Sequence, residues 1–254
     1  MGRVAIVNAR GGSRRLPRKN ILPFCGLPLL AWTIIQARTS KSIDEVIVST
    51  DDDEIEYIAL KFGAEVIRRP DWPNPDEIAG SVPTLHALDT LEEQGRLPEE
   101  TICLTATSPL RLPGDLDRMV SLFYEVGSLP VTFACPNRET MVLEKLAGGA
   151  CHLVLFDKSH AYLSFAGGMG SIQGTSYHRR IYKLIDEIAG TTDAGFDKMT
   201  AGGNAGLPRL DPYYVECTPW QLTEVDTAAE FELAEVLMQH YILKGRPWQE
   251  VYDG

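Results

Sequence analysis

The sequence predicts an α/β protein with a mostly parallel sheet and helices on both faces. Short apolar runs alternate with helical stretches from the first residues onward. Strands separated by helices pair in parallel, because each helix carries the chain back over the sheet. Capping and helix-ending residues fall at the joints of this pattern.

Val4 to Asn8 reads as the first strand, an apolar run too short for a signal peptide. Pro28, whose φ suits the start of a helix, opens a helical stretch through Arg38, with Leu29, Leu30, Trp32, Thr33 and Ile34 on the apolar face. Glu45 to Thr50 contains Val46-Ile47-Val48 and reads as a strand. Asp51 or Asp52 caps the following helix, and Gly63 ends it. A strand over Ala64 to Ile67, a helix from about Val82 to Gln94, a strand over Thr101 to Thr105, a helix over Gly114 to Tyr124 and a strand over Leu129 to Cys135 continue the alternation. From about Asn137 to Pro212 the pattern weakens and Gly-Gly pairs interrupt it. That segment reads as an inserted subdomain or dimerisation arm, or as a variable region of short strands. A strand over Tyr213 to Cys217 and a last helix from about Ala228 to Leu243 precede a polar tail. The expectation is one domain over residues 1–254, with a divergent segment at about 137–212.

Composition narrows the function. The formal net charge of −11 makes the chain a poor nonspecific partner for nucleic acid, so any bound phosphate needs a local cluster of cations and backbone N–H groups. Cys25, Cys103, Cys135, Cys151 and Cys217 are odd in number and lack C-x-x-C spacing, which argues against a disulfide framework and a structural zinc site. No apolar run reaches the length of a membrane span, so a cytoplasmic protein with no membrane partner is expected. The histidines, His86, His152, His160, His178 and His240, show no metal spacing and read as surface or structural residues. Ser13 and Ser108 have no evident triad partners.

The most informative stretch is Ala9-Arg10-Gly11-Gly12-Ser13-Arg14-Arg15-Leu16-Pro17-Arg18-Lys19-Asn20-Ile21, directly after the first strand. Ligands on open α/β sheets bind at strand carboxyl ends. Gly11 and Gly12 permit a sharp turn whose N–H groups form an anion nest, and Arg10, Arg14, Arg15, Arg18 and Lys19 add five cations within ten residues. Such a loop can hold a triphosphate and stabilise charge on departing pyrophosphate. A solvated basic turn is the plainer reading. The loop is neither a G-x-G-x-x-G fingerprint nor a Walker P-loop.

This loop resembles the signature of the acylneuraminate cytidylyltransferases. Gly26-Leu27-Pro28-Leu29-Leu30-Ala31-Trp32-Thr33-Ile34, Val46-Ile47-Val48-Ser49-Thr50-Asp51-Asp52, Phe62-Gly63-Ala64-Glu65-Val66, Arg69-Pro70, Thr107-Ser108-Pro109-Leu110-Arg111 and Glu224-Val225-Asp226-Thr227 with Glu230-Phe231 extend the likeness in order. The resemblance covers about the first 135 residues and residues 213 to 240. It implies a Rossmann-like fold of the nucleotide-diphospho-sugar transferase type. The implied activity transfers CMP from CTP to an acidic sugar, a sialic acid or related nonulosonic acid, and releases pyrophosphate. It further implies Mg²⁺ as cofactor and a homodimer. Lys19, Arg10 and Asp226 would be catalytic. Ala9, Arg10, Gly11, Gly12, Ser13, Lys19, Asn20 and Arg69 would hold the nucleotide, with Gly80 and Ser81 beside cytosine. Thr105, Thr107, Ser108 and Arg111 would face the acceptor, and Asp226 with Glu224 would hold the metal. Without the resemblance, Asp226-Thr227 is simply a helix N-cap.

The chain also departs from that pattern. Thr105 stands where the family usually has Gln, Glu224 replaces the first Asp of the late motif, and the R-P-N-G-A-I-Y-type segment of the sugar-binding half is missing. These changes fall on the acceptor side. An octulosonic acid or a phosphonate is therefore an alternative acceptor, and a noncatalytic nucleotide-sensing domain is the alternative of another class. Tyr177-His178-Arg179-Arg180 reads either as an acceptor or partner contact or as a solvated helix start.

Overall fold

The computed structural model describes residues 2–72, 81–137, 141–145, 151–155, 162–165, 167–180 and 213–252. Its strands are β1 (Arg3–Asn8), β2 (Pro23–Phe24), β3 (Leu27–Pro28), β4 (Glu45–Thr50), β5 (Glu65–Arg68), β6 (Glu100–Thr105), β7 (Val131–Asn137), β8 (Met141–Lys145), β9 (Cys151–Leu155), β10 (Tyr162–Phe165), β11 (Ser171–Gly174) and β12 (Tyr213–Glu216). The helices are α1 (Leu29–Arg38), α2 (Asp53–Lys61), α3 (Ser81–Glu93), α4 (Asp115–Glu125), α5 (Ala228–Leu237) and α6 (Trp248–Tyr252).

The fold is the expected α/β class. The main sheet runs β10-β7-β11-β6-β1-β4-β5, with β12 joined to β7. β6, β1, β4 and β5 are mutually parallel, whereas β11 is antiparallel to both β6 and β7. β10 and β11 both run antiparallel to β7 and meet consecutive stretches of it, residues 134–137 and 131–132. They act as one interrupted strand, and the interruption is the turn Gly167–Met169. Thus β10 and β11, inside the divergent segment, complete the main sheet, while β8 and β9 pair only with each other. Residues 181–212 of that segment lie outside the described residues.

The period of two along β1 divides the core. Ala5 and Val7 pack with α1, α2 and α4 through Leu30, Ile34, Ile55, Ala59, Met119 and Phe123. Val4 and Ile6 face the other way, onto Ala87, Leu88 and Leu91 of α3. α1 is buried from Leu29 to Ala37 because its outer face is covered too: Leu29, Trp32 and Ile35 pack on Ala234, Met238, Ile242, Leu243 and Tyr252. Pro28 sits at the N-cap of α1 rather than at its first position.

The C-terminal end differs most from expectation. The last long helix is α-helical only to Leu237 and continues as a π-helix over Met238–Leu243. The polar tail then forms α6 and buries Tyr252, whose hydroxyl donates to the Arg111 carbonyl at 2.7 Å and accepts from Gln36 Nε2 at 3.1 Å. Each apolar group there is short, so periodicity did not register it.

Candidate active site

Strand order places the site. β1 lies between β4 and β6, so successive connections leave β1 in opposite lateral directions, and a crevice opens at such a switch point. The loop that leaves the carboxyl end of β1 forms one wall of a cavity of about 330 Å³. Arg10, Arg14, Arg15 and Lys19 line it with Asp226 as the facing carboxylate, and Asn8, Ser13, Asn20, Thr105 and Thr107 contribute polar groups.

The five cations of the loop divide into different tasks. Arg18 adopts a left-handed backbone, φ 59°, unfavourable for a residue that bears a Cβ, and is tied down by Asp52 and by Glu54 at 3.1 Å. Asp52 also caps α2 by accepting from the Glu54 and Ile55 amides, each at 3.0 Å. Burial alone would raise its carboxyl pKa; the Arg18 guanidinium and the two amides outweigh that and hold it below the usual range. Asn20 is buried and donates to the Arg10 carbonyl at 3.0 Å, which joins the two ends of the loop.

Lys19 and Arg15 converge on Asp226. Lys19 Nζ donates to Asp226 Oδ1 at 2.5 Å and to the Val225 carbonyl at 3.0 Å. Arg15 Nη2 lies 2.7 Å from Asp226 Oδ2. Asp226 is positioned by the residues that start α5. Thr227 and Glu230 form a capping box, and Glu230 Oε2 also accepts from the Asp226 amide at 3.0 Å. Asp226 is therefore aimed by a cap that Thr227, not Asp226, provides.

Several expected site residues are placed elsewhere. Ala9, Gly11 and Gly12 do not line the cavity. The Gly11 amide donates to Asp51 Oδ1 at 2.9 Å, and a Cβ at Gly11 would overlap the Asp52 side chain, so Gly11 permits the loop to lie close on the α2 cap. Arg69 donates to Ser49 Oγ at 3.0 Å and to Asn8 Oδ1 at 3.4 Å, one residue behind the cavity wall; burial lowers its pKa to about 10. Gly80 lies outside the described residues, and Ser81 opens α3.

The acceptor-side group also splits. Thr105 and Thr107 line the cavity; Ser108 and Arg111 do not. Ser108 Oγ donates to Glu224 Oε1 at 3.0 Å and lies 3.2 Å from Thr105 Oγ1. Glu224 thus turns toward Ser108 while Asp226 turns toward Lys19, and the two carboxylates have separate neighbours rather than a shared face. A Cβ at Gly168 would overlap Glu224, Ser108 and Thr105, so the Gly167–Met169 turn presses on this cluster. Arg111 holds the turn there. It is fully buried, and its guanidinium donates to the carbonyls of Met169, Gly168 (2.7 Å) and Thr105 (3.0 Å) and to Thr33 Oγ1 (3.1 Å) and Gln36 Oε1 (2.9 Å). With no exposed surface it sits behind the cavity wall and clamps the turn, whereas Thr105 and Thr107 reach the cavity itself. His178 is likewise buried, beside Cys103 and Gln173, and burial lowers its pKa to about 4.

The sequence counts Arg14 and Arg15 among the loop's five cations, but the family resemblance gives them no individual place in the site, and the structure lines the cavity with both. Their spacing from Lys19 was the available signal, but only the fold of the loop shows that they turn inward. For a metal, no three His, Cys, Asp or Glu side chains cluster among the described residues. The donor chemistry at Asp226 suits a hard, hydrated cation held by one carboxylate and substrate phosphates, not a thiolate or imidazole site.

Comparisons with known proteins bear on this site. The sequence profile of the Cytidylyltransferase family matches residues 4–127, from β1 through α4. A Campylobacter coli protein, post-translational flagellin modification protein B, is 34% identical over 244 residues, 94% of this chain and 95% of its own. The chain belongs to the acylneuraminate cytidylyltransferase-like family. Pseudaminic acid cytidylyltransferase of Campylobacter jejuni (strain 81-176) is 41% identical over 111 residues, 43% of this chain. The chain spans about half the length of that relative, 48%. N-acylneuraminate cytidylyltransferase of Oncorhynchus mykiss is 40% identical over 126 residues, 48% of this chain and 28% of its own. Among solved structures, CMP:2-keto-3-deoxy-manno-octonic acid synthetase complexed with CTP superposes with a TM-score of 0.69 at 19% identity, covering 94% of this chain and 99% of that one. At that identity the likeness speaks for the fold.

Proposed function

We propose that the protein is a nucleotidyltransferase that moves CMP from CTP onto an acidic sugar of the nonulosonic type and releases pyrophosphate. The observation that carries this is the placement of Arg10, Arg14, Arg15 and Lys19 around one cavity at the switch point of the sheet, in a chain whose net charge is −11. The pseudaminic and N-acylneuraminic acid relatives support the class of nucleotide and acceptor.

In this reading an acceptor hydroxyl attacks the α-phosphorus in line, and the bond to the β-phosphate breaks. Such chemistry depends on positioning and charge neutralisation. Lys19, the more enclosed cation, stabilises the charge that develops on departing pyrophosphate, with Arg10 beside it. Asp226 is the residue that would hold Mg²⁺, which when bound neutralises phosphate charge. Thr105 and Thr107, on the β6 side, offer hydroxyls to the acceptor. We also read the protein as a cytoplasmic homodimer; light scattering after size exclusion tests the second part.

The test is pyrophosphate release with CTP, UTP, GTP and ATP across N-acetylneuraminic acid, pseudaminic acid, an octulosonic acid and a phosphonate. Release with CTP and a nonulosonic acid is expected. Equal rates with GTP or ATP would remove the cytidine assignment. Saturable CTP binding without release on any acid would favour a nucleotide-sensing domain.

A further inference from the structure

We propose that the phosphate pocket carries its own internal counter-ion. In the free protein Asp226 occupies Lys19 and Arg15, and only an incoming phosphate chain, by taking over these cations, frees the carboxylate for a divalent cation. The inference rests on the nucleotidyltransferase reading for the natural ligand, but its first test does not use CTP.

The geometry assigns each carboxylate oxygen a different cation. Oδ1 lies 2.5 Å from Lys19 Nζ, and Oδ2 lies 2.7 Å from Arg15 Nη2. One negative and two positive charges leave this triad at +1. A divalent cation arriving alone therefore meets a net positive group and finds both oxygens occupied. A phosphate chain meets the opposite situation: among the described residues, Arg10, Arg14, Arg15 and Lys19 line the pocket with Asp226 as the facing carboxylate, so cations outnumber anions in that lining. Its oxygens compete with Asp226 for Lys19 and Arg15, and arginine binds phosphate at least as well as carboxylate.

The exchange is local. Arg15 is the more exposed partner, with 69% of its side chain accessible against 15% for Lys19, so it can turn to a phosphate without disturbing packed neighbours. Lys19 keeps a second acceptor, the Val225 carbonyl at 3.0 Å, so it swings over a short arc instead of losing its anchor. The Asp226 backbone stays fixed, because Glu230 accepts from its amide at 3.0 Å and the capping box holds Thr227. The released carboxylate then lies at the edge of the bound phosphates. Phosphate and metal binding become coupled through one carboxylate, and the coupling is reciprocal.

Two measurements test this. The first uses calorimetry with inorganic pyrophosphate in chelator-treated, metal-free buffer. Asp226→Asn should bind pyrophosphate about 3- to 10-fold more tightly than the parent, since the internal competitor is gone. Unchanged or weaker binding would overturn the proposal, whatever nucleotide the enzyme uses. The second follows free Mn²⁺ by electron paramagnetic resonance without nucleotide. The parent should bind Mn²⁺ weakly, Arg15→Gln and Lys19→Met should each bind it at least about fivefold more tightly, and adding Asp226→Asn should abolish that gain. Tight Mn²⁺ binding by the parent, removed by Asp226→Asn, would show a prebuilt metal site and overturn the gating while leaving the proposed activity intact. If pyrophosphate behaves as expected and CTP does not compete with it, the nucleotide assignment fails and the counter-ion exchange stands.

Discussion

Lys19 and Arg15 carry the same charge and touch the same carboxylate, yet they differ in enclosure. A charge aimed at the reacting phosphates from an enclosed position acts through a lower effective dielectric than one in solvent. Lys19→Ala should therefore lower kcat by on the order of 10²-fold or more. Arg15→Ala should act mainly on apparent CTP affinity, with kcat changed far less. Steady-state rates at saturating CTP decide between them, and the reverse ranking would mean that the loop has been assigned in the wrong register. Arg111 gives the opposite kind of prediction. Its removal takes the guanidinium from five acceptors at once; the carbonyls of Thr105 and Gly168 keep hydroxyl donors from Thr33 and Thr105, but the network behind the site is broken, so Arg111→Met should cost on the order of 3–5 kcal/mol in urea unfolding. Arg111→Lys should be intermediate, because an ammonium cannot reproduce the fork. A stable Arg111→Met protein with a raised KM for the acid would return Arg111 to the acceptor site. The motif Thr107-Ser108-Pro109-Leu110-Arg111 could not reveal this role from sequence. Whether its arginine faces ligand or core depends on the Gly168 carbonyl, 57 residues away in the chain.

At the scale of elements, the phosphate loop and α2 form one unit through Asp52. The same carboxylate caps the helix and holds Arg18 in its left-handed conformation. Asp52→Ala should cost about 1–2 kcal/mol as a lost cap and should also weaken nucleotide binding by loosening the loop. Asp52→Asn keeps the cap but not the charge, so it should separate the two effects. The pH dependence follows from the direction of the shift. With the folded pKa below the unfolded value of about 3.9, this stabilisation is fully present above that value and is lost as pH falls through the folded pKa. Acid unfolding below about pH 4 should therefore be shallower in Asp52→Asn than in the parent, and an identical acid limb in both would remove the ion pair as a contributor. Elements of this kind were legible because their signals are local: Asp52 precedes α2, Gly63 follows it, and β4 matches its β-branched run from Glu45 to Thr50. β10 and β11 were not, because four-residue strands broken by glycines carry too little periodicity and gain their stability from β6 and β7, which lie far off in sequence.

The whole molecule is held around α1, which is buried on both sides, so its outer cover matters as much as the sheet. Tyr252 is part of that cover and links α6 to the Arg111 carbonyl and to Gln36. Tyr252→Ala should destabilise the fold by roughly 3–5 kcal/mol, the range for a large buried aromatic, and Tyr252→Phe by much less. Equal stability of Tyr252→Ala and the parent in urea would detach the tail from the core. The same rigid frame makes ligand binding readable as stability. A ligand that binds only the folded chain stabilises it by RT ln(1 + [L]/Kd), about 2.7 kcal/mol at one hundred times Kd. For a chain of this length each kcal/mol is worth about 2–4 °C, so saturating CTP with Mg²⁺ should raise Tm by roughly 5–10 °C. Because the attraction comes from a few cations on an acidic protein, weaker binding at higher salt should shrink the shift at fixed CTP. UTP shares the triphosphate and tests how much of the effect belongs to the base. If GTP or ATP raised Tm as far as CTP, the cations alone would account for binding, and cytidine recognition would have to be sought outside the loop that carries the phosphates.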